Sequence, residues 1–391
     1  MTPPLAISGY PRADGRIGLR DHVLVLSTVS LVNRWAELAA IDEDGAAFEG
    51  ALVVAGETVR GLRGGDAAAL DALLCGLVRH PNVGAAVVLT QDAIAAKELE
   101  RELDGIGKPV EVLALLDQDG WTNAIGAARV AVRDAHASRD GRVERAELAE
   151  LTVGLECGGS DPTSALASNP AIGRFVDRLV DAGGTAIVSE TAEFIGAEAI
   201  VEARCPDRAV RGTILDHIAR RERWHAEDGE DYRGTNPTAE NIAGGLTTLI
   251  EKSMGAITKT GTRPFAGALR FGEAPARPGL HFMDSPFYTP LSMTGMVQGG
   301  ANLVLFGIGQ FNPSASPLAP TIKVCGNAGT VRRWGEAIDV DASPVLSGDA
   351  TIDGIADRIG GAVAATSEGQ PTAAERWNEG QFITPRNHAP L

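Results

Sequence analysis

The stretch Leu151–Gly173, LTVGLECGGSDPTSALASNPAIG, groups residues suited to chemistry. Glu156, Cys157, Ser160 and Asp161 surround Gly158-Gly159 directly after a short apolar run, Leu151–Leu155. A thiol, two carboxylates and a hydroxyl about two flexible residues at a strand's end can hold a small hydroxylated anion. The glycines allow close backbone approach, and successive amides at Cys157, Gly158, Gly159 and Ser160 can form an anion-binding nest where the next helix starts. A plainer reading has the glycines make a tight turn and Asp161 cap that helix.

Three other strand-like runs end in polar clusters. TAIV leads into Ser189, Glu190 and Glu193; LHFM into Asp284, Ser285 and Pro286; TIKV into Cys325, Gly326 and Asn327. Ligands of open α/β sheets bind beyond the carboxyl ends of strands, so four such ends predict a shared rim of carboxylates, hydroxyls and thiols. Glu190 and Glu193 equally suit the first turn of a helix. The lysines add to the pattern, because the chain has thirty arginines and only five lysines. Lys97 and Lys108 fall in a charged helix and the turn after it. Lys252, Lys259 and Lys323 fall in Gly/Thr/Ser contexts, where a compact ammonium rather than a planar fork is a choice; chance placement is the alternative. Near the start, GYPRADGRIGLRD carries Arg12, Arg16 and Arg20, either an anion-binding arm or a solvated loop.

These residues need elements to position them. HVLVLSTVS (22–30), GAAVVLT and VEVLALL read as buried strands, and DAAALDALLCGLV and QDAIAAKELEREL as the helices between them. A helix over 123–136 and a charged linker, RDGRVERAELAE, follow. Beyond it the alternation resumes, with TAEFIGAEAIVEARC and AENIAGGLTTLIEKSM each read as one helix. The fold class predicted is α/β: two domains, 1–145 and 146–391, with mostly parallel sheets flanked by helices.

Composition narrows the function classes. A net charge of −16 argues against nucleic-acid binding but not against a small anion met by local positive charge. No apolar run reaches the ~18 residues of a membrane span, and the N-terminus lacks the features of a secretory signal, so the cytoplasm is the expected location. The four cysteines are widely spaced, without a CxxC pair, and are expected to be free thiols.

Taken together, GYPRADGRIGLRD, GLVRHPNVGAAVV, VGLECGGSDPTSALASNPAIG, VSETAEFIGAEAI, AENIAGGLTTLIEKSMGAITKTGTRP, MDSPFYTPLSMTGMVQGGANLVLFGIGQ and APTIKVCGNAG, in this order and spacing, resemble the altronate/galactarate dehydratase family over nearly the whole chain. The resemblance implies a lyase, a hydro-lyase (dehydratase) of a sugar acid or related 2-hydroxy acid giving a 2-keto-3-deoxy acid. Relatives expel sulfite from sulfolactate instead. It also implies help from Fe(II) or Mn(II), a homo-oligomer, and either a small N-terminal domain supplied as a separate small subunit or a form that works without that domain.

Against the family pattern, Thr58 and Leu62 stand where a His and a Cys are expected, VVLTQD replaces a Gly-Cys-Glu strand end, GIGQFNP lacks an arginine, and GLRD replaces GTRN. Any metal must then rely on Cys157, Glu190 and Glu193, and weak or absent metal binding is expected. The reaction needs a base at the C2 proton and positive charge or hydrogen-bond donors on the substrate carboxylate. Lys252, Lys259, Lys323, Glu190 and Asp161 are the catalytic candidates. Arg20, Cys157, Gly158, Gly159, Ser160, Asp161, Asp284 and Asn327 are the substrate-binding ones. The alternatives to a hydro-lyase are a carbon–sulfur lyase and a catalytically altered paralogue serving as a subunit or binding protein.

Overall fold

The computed structural model describes residues 5–227 and 236–386. The chain divides into two compact units. One is Gly9–Glu144 with the segment that begins at Phe382; the other is Arg145–Gln381 with the segment that ends at Ser8. Both are α/β. Among the described residues no helix is long and apolar enough to cross a membrane.

A small sheet has the order β2-β1-β7, from β1 (Ile7–Pro11), β2 (Ile17–Gly18) and β7 (Glu144–Ala146). The N-terminal unit is built on β3 (His22–Ser27), β4 (Ala51–Val54), β5 (Val83–Thr90) and β6 (Val110–Ala114), in the order β4-β3-β5-β6 and parallel throughout. All eight residues of β5 are buried. That is the pattern of a parallel strand covered on both faces, where β-branched residues pack well and no alternation is needed. On one face, Trp35 and Ala36 of the helix Asn33–Ala39, and Ala128 and Val132 of the helix Trp121–Ser138, pack on Val23, Val25, Val87 and Leu89. The Trp35 indole donates to the Ala124 carbonyl at 2.8 Å, so its one polar atom is satisfied inside the core.

The C-terminal unit carries seven parallel strands: β8 (Thr152–Gly158), β9 (Thr185–Val188), β10 (Phe265–Leu269), β11 (Gly279–Met283), β12 (Leu303–Ile308), β13 (Thr321–Cys325) and β14 (Val340–Asp341). Their order is β10-β11-β9-β8-β12-β13-β14. The chain builds outward from β8 on one side as far as β10, then returns to the other side of β8 with β12. The strand that ends in the Gly-Gly motif is therefore the switch strand, the place where doubly wound sheets open a crevice for ligands.

Several local expectations are corrected. AENIAGGLTTLIEKSM is two helices, Ala239–Ala243 and Leu249–Ile257, because Gly245 has φ +111 and the chain turns there. TAEFIGAEAIVEARC is likewise a short 3-10 turn, Thr191–Phe194, and a helix, Glu198–Arg204. The strand expected at Leu151–Leu155 continues through Glu156 and Cys157 to Gly158, because β12 pairs with it residue by residue up to Ile308.

The turn Thr258–Thr260, which carries Lys259, lies against the helix Asn169–Asp181 at Gly173. A Cβ built at Gly173 would stand 2.1 Å from the Thr258 carbonyl oxygen. Gly173→Ala is expected to cost ~1–3 kcal/mol by overpacking. Gly126→Ala, in the helix Trp121–Ser138 with nothing within 4 Å of the new Cβ, should instead gain about 0.5–1 kcal/mol. Urea unfolding of the two variants beside the parent chain checks both signs.

Candidate active site at the end of β8

Glu156 and Cys157 are consecutive strand residues, so their side chains leave opposite faces of the sheet. On the Cys157 face, the Cys157 Sγ–H donates to Glu193 Oε1 at 3.1 Å. Lys259 Nζ donates to Cys157 Sγ at 3.2 Å and forms an ion pair with Glu193. The Lys259 and Glu193 side chains are each 1% exposed. Lys252 and Lys259 are seven residues apart, two helical turns, on the helix Leu249–Ile257 and the turn that continues it. This spacing puts both ammoniums on the buried face. Lys252 Nζ donates to Asn236 Oδ1 at 2.8 Å and lies 4.3 Å from the centre of the Phe287 ring. On the Glu156 face, the Ser292 hydroxyl of the helix Thr289–Gln298 donates to Glu156 Oε2, while Oε1 has no hydrogen-bond partner among the described residues.

Glu190 sits just past β9 in the left-handed region, φ 63, which costs a residue with a side chain roughly 1–2 kcal/mol. The local hydrogen bonds over-determine that turn. The Glu190 amide donates to Ser285 Oγ at 2.9 Å, Ser189 Oγ donates to the same oxygen at 2.6 Å, and Glu190 Oε1 accepts from the Tyr288 amide at 3.1 Å.

Burial sets the protonation states. It pushes the Glu156 carboxyl up to about 8, against the attraction of Lys259 and with help from Glu193. It pushes Glu190 well above the ordinary carboxylate range, reinforced by Glu156 and Glu193. Burial and the Glu193 charge hold the Cys157 thiol far up, hence protonated. Burial alone would lower Lys259; the surrounding acidic groups outweigh it and hold its pKa above the lysine range. The cluster thus favours the protonated form of Glu156, Glu190 and the Cys157 thiol beside a glutamate, Glu193, clasped by an ammonium.

The Gly-Gly motif follows the packing reading. Asp161 Oδ1 accepts from the Thr163 and Ser164 amides, at 2.8 and 3.0 Å, and from the Thr163 hydroxyl at 2.6 Å. The anion-binding donors of the helix start are thereby filled by the chain's own carboxylate. Cys157 and Gly158 belong to β8, so no nest spans Cys157–Ser160. Gly159, at φ +58, makes the turn, and a Cβ there would stand 2.2 Å from the Gln310 carbonyl oxygen. Asp161 Oδ2 takes the Asn327 side-chain amide at 2.7 Å, and Asn327 Oδ1 caps the helix Ala328–Trp334. What remains beside the motif is a cavity of about 10 Å³, room for one water, lined by Ser160, Asp161, Ser164 and Lys252 among others.

The three lysines do not converge on one position. Lys259 is bound to Glu193 and Cys157; Lys323, on β13, is ion-paired with Glu379 and lies 5.1 Å from the Phe311 ring centre. Among the described residues, Lys252 alone of the three has a neutral oxygen as its hydrogen-bond partner. Asp284 is held by the Thr191 hydroxyl at 2.7 Å and by Arg220 and His217. Burial would raise its carboxyl, but these donors bring it down to about 2. Arg20 belongs to the N-terminal unit, where its guanidinium donates to the Leu19 carbonyl at 2.7 Å. Arg12 is tied to Asp21 at 2.8 Å and Arg16 to Asp14 at 2.7 Å, so both arginines brace their own loop. Ser292, Asn236 and Phe287 were not singled out in the sequence. Glu156 was, but as a loop residue; a carboxylate inside the apolar run VGLEC was the available signal that it is a buried strand residue.

The arrangement does not fit a divalent cation. Among the described residues no group of three or more His, Cys, Asp and Glu side chains is placed to hold one. Cys157 and Glu193 bond to each other and to the Lys259 ammonium.

Comparison with known proteins assigns this framework. Residues 148–389 match the family described as D-galactarate/altronate dehydratase, C-terminal, and residues 9–139 match D-galactarate dehydratase/altronate hydrolase, second domain. The chain belongs to the altronate/galactarate dehydratase family. It is 34% identical over 386 residues to the (2R)-sulfolactate sulfo-lyase subunit beta of Chromohalobacter salexigens, covering 97% of this chain and 96% of that protein. It is 30% identical to the altronate dehydratase of Escherichia coli, covering 87% of this chain and 70% of that protein. The galactarate dehydratase of the same organism is 26% identical, covering 80% and 62%. The family's members named here are thus lyases. Thr58, where the resemblance places a histidine, is fully buried with its hydroxyl unpartnered among the described residues.

The cluster predicts a pH signature. Glu156 titrates near 4.5 when unfolded and near 8 when folded. Between those values the folded chain holds the extra proton, so this group's stabilising contribution is full below 4.5, falls as pH rises, and is level again above about 8. Glu156→Gln keeps a hydrogen-bonding head without the titration. Its stability relative to the parent should improve between pH 6 and 8.5 by at least ~1 kcal/mol, since a tenfold difference in proton affinity between the two states is worth about 1.4 kcal/mol. Urea midpoints at the two pH values measure the difference.

Proposed function

We propose that the protein is the large subunit of a lyase that removes the C2 proton of a small 2-hydroxy carboxylate and expels the substituent on C3. The enol formed then becomes a 2-keto acid. The observation that carries the reading is Lys252: a buried ammonium beside the switch-strand loop, with a neutral amide oxygen and no carboxylate as its hydrogen-bond partner among the described residues, so that its charge is left for a substrate carboxylate once the one-water cavity beside it opens. Sulfite is the leaving group we assign, giving a C3-sulfonated 2-hydroxy acid as substrate. The support is similarity over almost the entire length of both chains to a protein named as a sulfolactate sulfo-lyase subunit. That name also supports a separate smaller partner subunit. Sulfite departs as a stable anion and needs no proton from the enzyme.

A sugar-acid hydro-lyase is the second reading. Hydroxide does need a proton, and Glu190, kept protonated by burial and its acidic neighbours, is the group to give it. Keto-acid release from a panel containing 3-sulfolactate, altronate and galactarate, with sulfite assayed in parallel, separates the two. The panel is run with and without the partner subunit and with and without Fe(II) or Mn(II). Sulfite and keto acid in equal amounts from sulfolactate support the first reading; keto acid from a sugar acid alone supports the second. No product from any substrate favours an altered, non-catalytic subunit.

The lysines should separate by variant. Lys252→Met should weaken binding of a hydroxy acid about 10- to 150-fold, for a charge-assisted contact of ~1.5–3 kcal/mol, with little change in melting temperature. Lys259→Met should instead destabilise the fold by about 3–5 kcal/mol, because it leaves Glu193 buried without its partner. Titration calorimetry and thermal unfolding of both variants read the contrast.

A further inference from the structure

We infer that Lys259 is the resident cation of the β8 cluster: its ammonium fills the position between the Cys157 thiol and the Glu193 carboxylate that a metal ion would take in a thiolate–carboxylate site, so these residues are not metal ligands in this protein. The geometry is that of a hydrogen-bonded triangle. Sγ to Oε1 is 3.1 Å, with the thiol proton between them. Two ligands of one tetrahedral metal, at the usual metal–sulfur and metal–oxygen lengths, would stand roughly 3.6 Å apart. The third corner is closed by Nζ, 3.2 Å from the sulfur and ion-paired with Glu193.

Three further observations support the substitution of ammonium for metal. A ligating thiol must lose its proton, whereas Cys157 is using its proton to bond Glu193. The backbone that presents the lysine is fixed, because its turn is packed on Gly173, where even a methyl group would meet the Thr258 carbonyl, and the Lys259 side chain is itself buried. The charge is also matched to the site. One ammonium neutralises one glutamate, and no further positive charge is called for by the bonds that Cys157 and Glu193 make. The inference stands apart from the lyase reading, since its test involves no turnover.

Co(II) is the probe, added to the reduced full-length protein under anaerobic conditions. A thiolate bound to cobalt gives a charge-transfer absorption in the near ultraviolet. The difference between parent and Cys157→Ser isolates the Cys157 contribution from the other three thiols. The expected result is no difference in spectrum or in cobalt bound. A parent band lost in Cys157→Ser overturns the inference. In a second arm, Lys259→Ala removes the ammonium and leaves space. It is expected to bind Co(II) at least tenfold more tightly than the parent, with a band that disappears in the Lys259→Ala/Cys157→Ser double variant. A folded Lys259→Ala chain, checked by circular dichroism, that binds cobalt no better than the parent also overturns it. Should that variant not fold, the comparison of parent with Cys157→Ser decides alone.

Discussion

The C-terminal unit is organised around the cost of burying charge. Three glutamates, a cysteine and a lysine gather around the end of its central strand, each at most 2% exposed. A carboxylate moved into such surroundings without compensation costs several kcal/mol. The structure resolves this by giving one carboxylate an ammonium and letting burial keep protons on two others. The constraint reaches into the backbone. It demands a turn that presents Lys259 inward, a helix with a glycine where that turn presses, and a left-handed Glu190 held by Ser189, Ser285 and Tyr288. A cluster so assembled has fixed dipoles and little freedom to rearrange, the condition under which electrostatic groups act on a reacting molecule without reorganising first.

Topology explains why these groups meet. β8 is the switch strand, with β9 on one side and β12 on the other. Segments that follow β9 and β12 therefore flank its end, and helices from both faces reach it. Glu190 and Glu193 arrive from the β9 side, Gln310 from the β12 side, and Lys252 and Lys259 from the helix and turn that precede β10. Residues separated by a hundred positions in the chain, Cys157 and Lys259, become hydrogen-bond partners.

Much of this was legible in the sequence. The parallel α/β layers follow from apolar runs such as VGAAVVLT, long enough to fill a strand and too uniform for a half-exposed one. Lys252 and Lys259 stood out because lysine is scarce. Of the missed strands, β1, β2 and β7 make the small sheet from segments read as a loop and a linker, while β4, β10 and β14 lie at the edges of the two larger sheets. Their partly buried residues, as in ALVV and FAGAL, give neither a continuous apolar signal nor a clean alternation. The helix break at Gly244-Gly245 is a conformational fact that periodicity does not register. Lys323 looked like Lys259 in its local context, and only its long-range partner Glu379 distinguishes it. Asp161 shows the opposite case: capping is a short-range matter, and the plain reading of Ser-Asp-Pro-Thr-Ser was the right one.

The path of the chain ends has a consequence for biogenesis. Leu5 and Ser8 pack with the C-terminal unit, where the Ser8 amide donates to Ser367 Oγ at 3.1 Å. Phe382, near the other end, belongs to the N-terminal unit, its ring close beside Gly56. Each unit therefore incorporates a short segment far in sequence from the rest of it. A ribosome releases the chain from its N-terminus, and domains generally complete in that order. Here residues 9–144 emerge well before Phe382, which packs with them, while Leu5 and Ser8 emerge well before residues 145–381, to which they belong. A chain made only as far as residue 150 holds part of both bodies and the whole of neither.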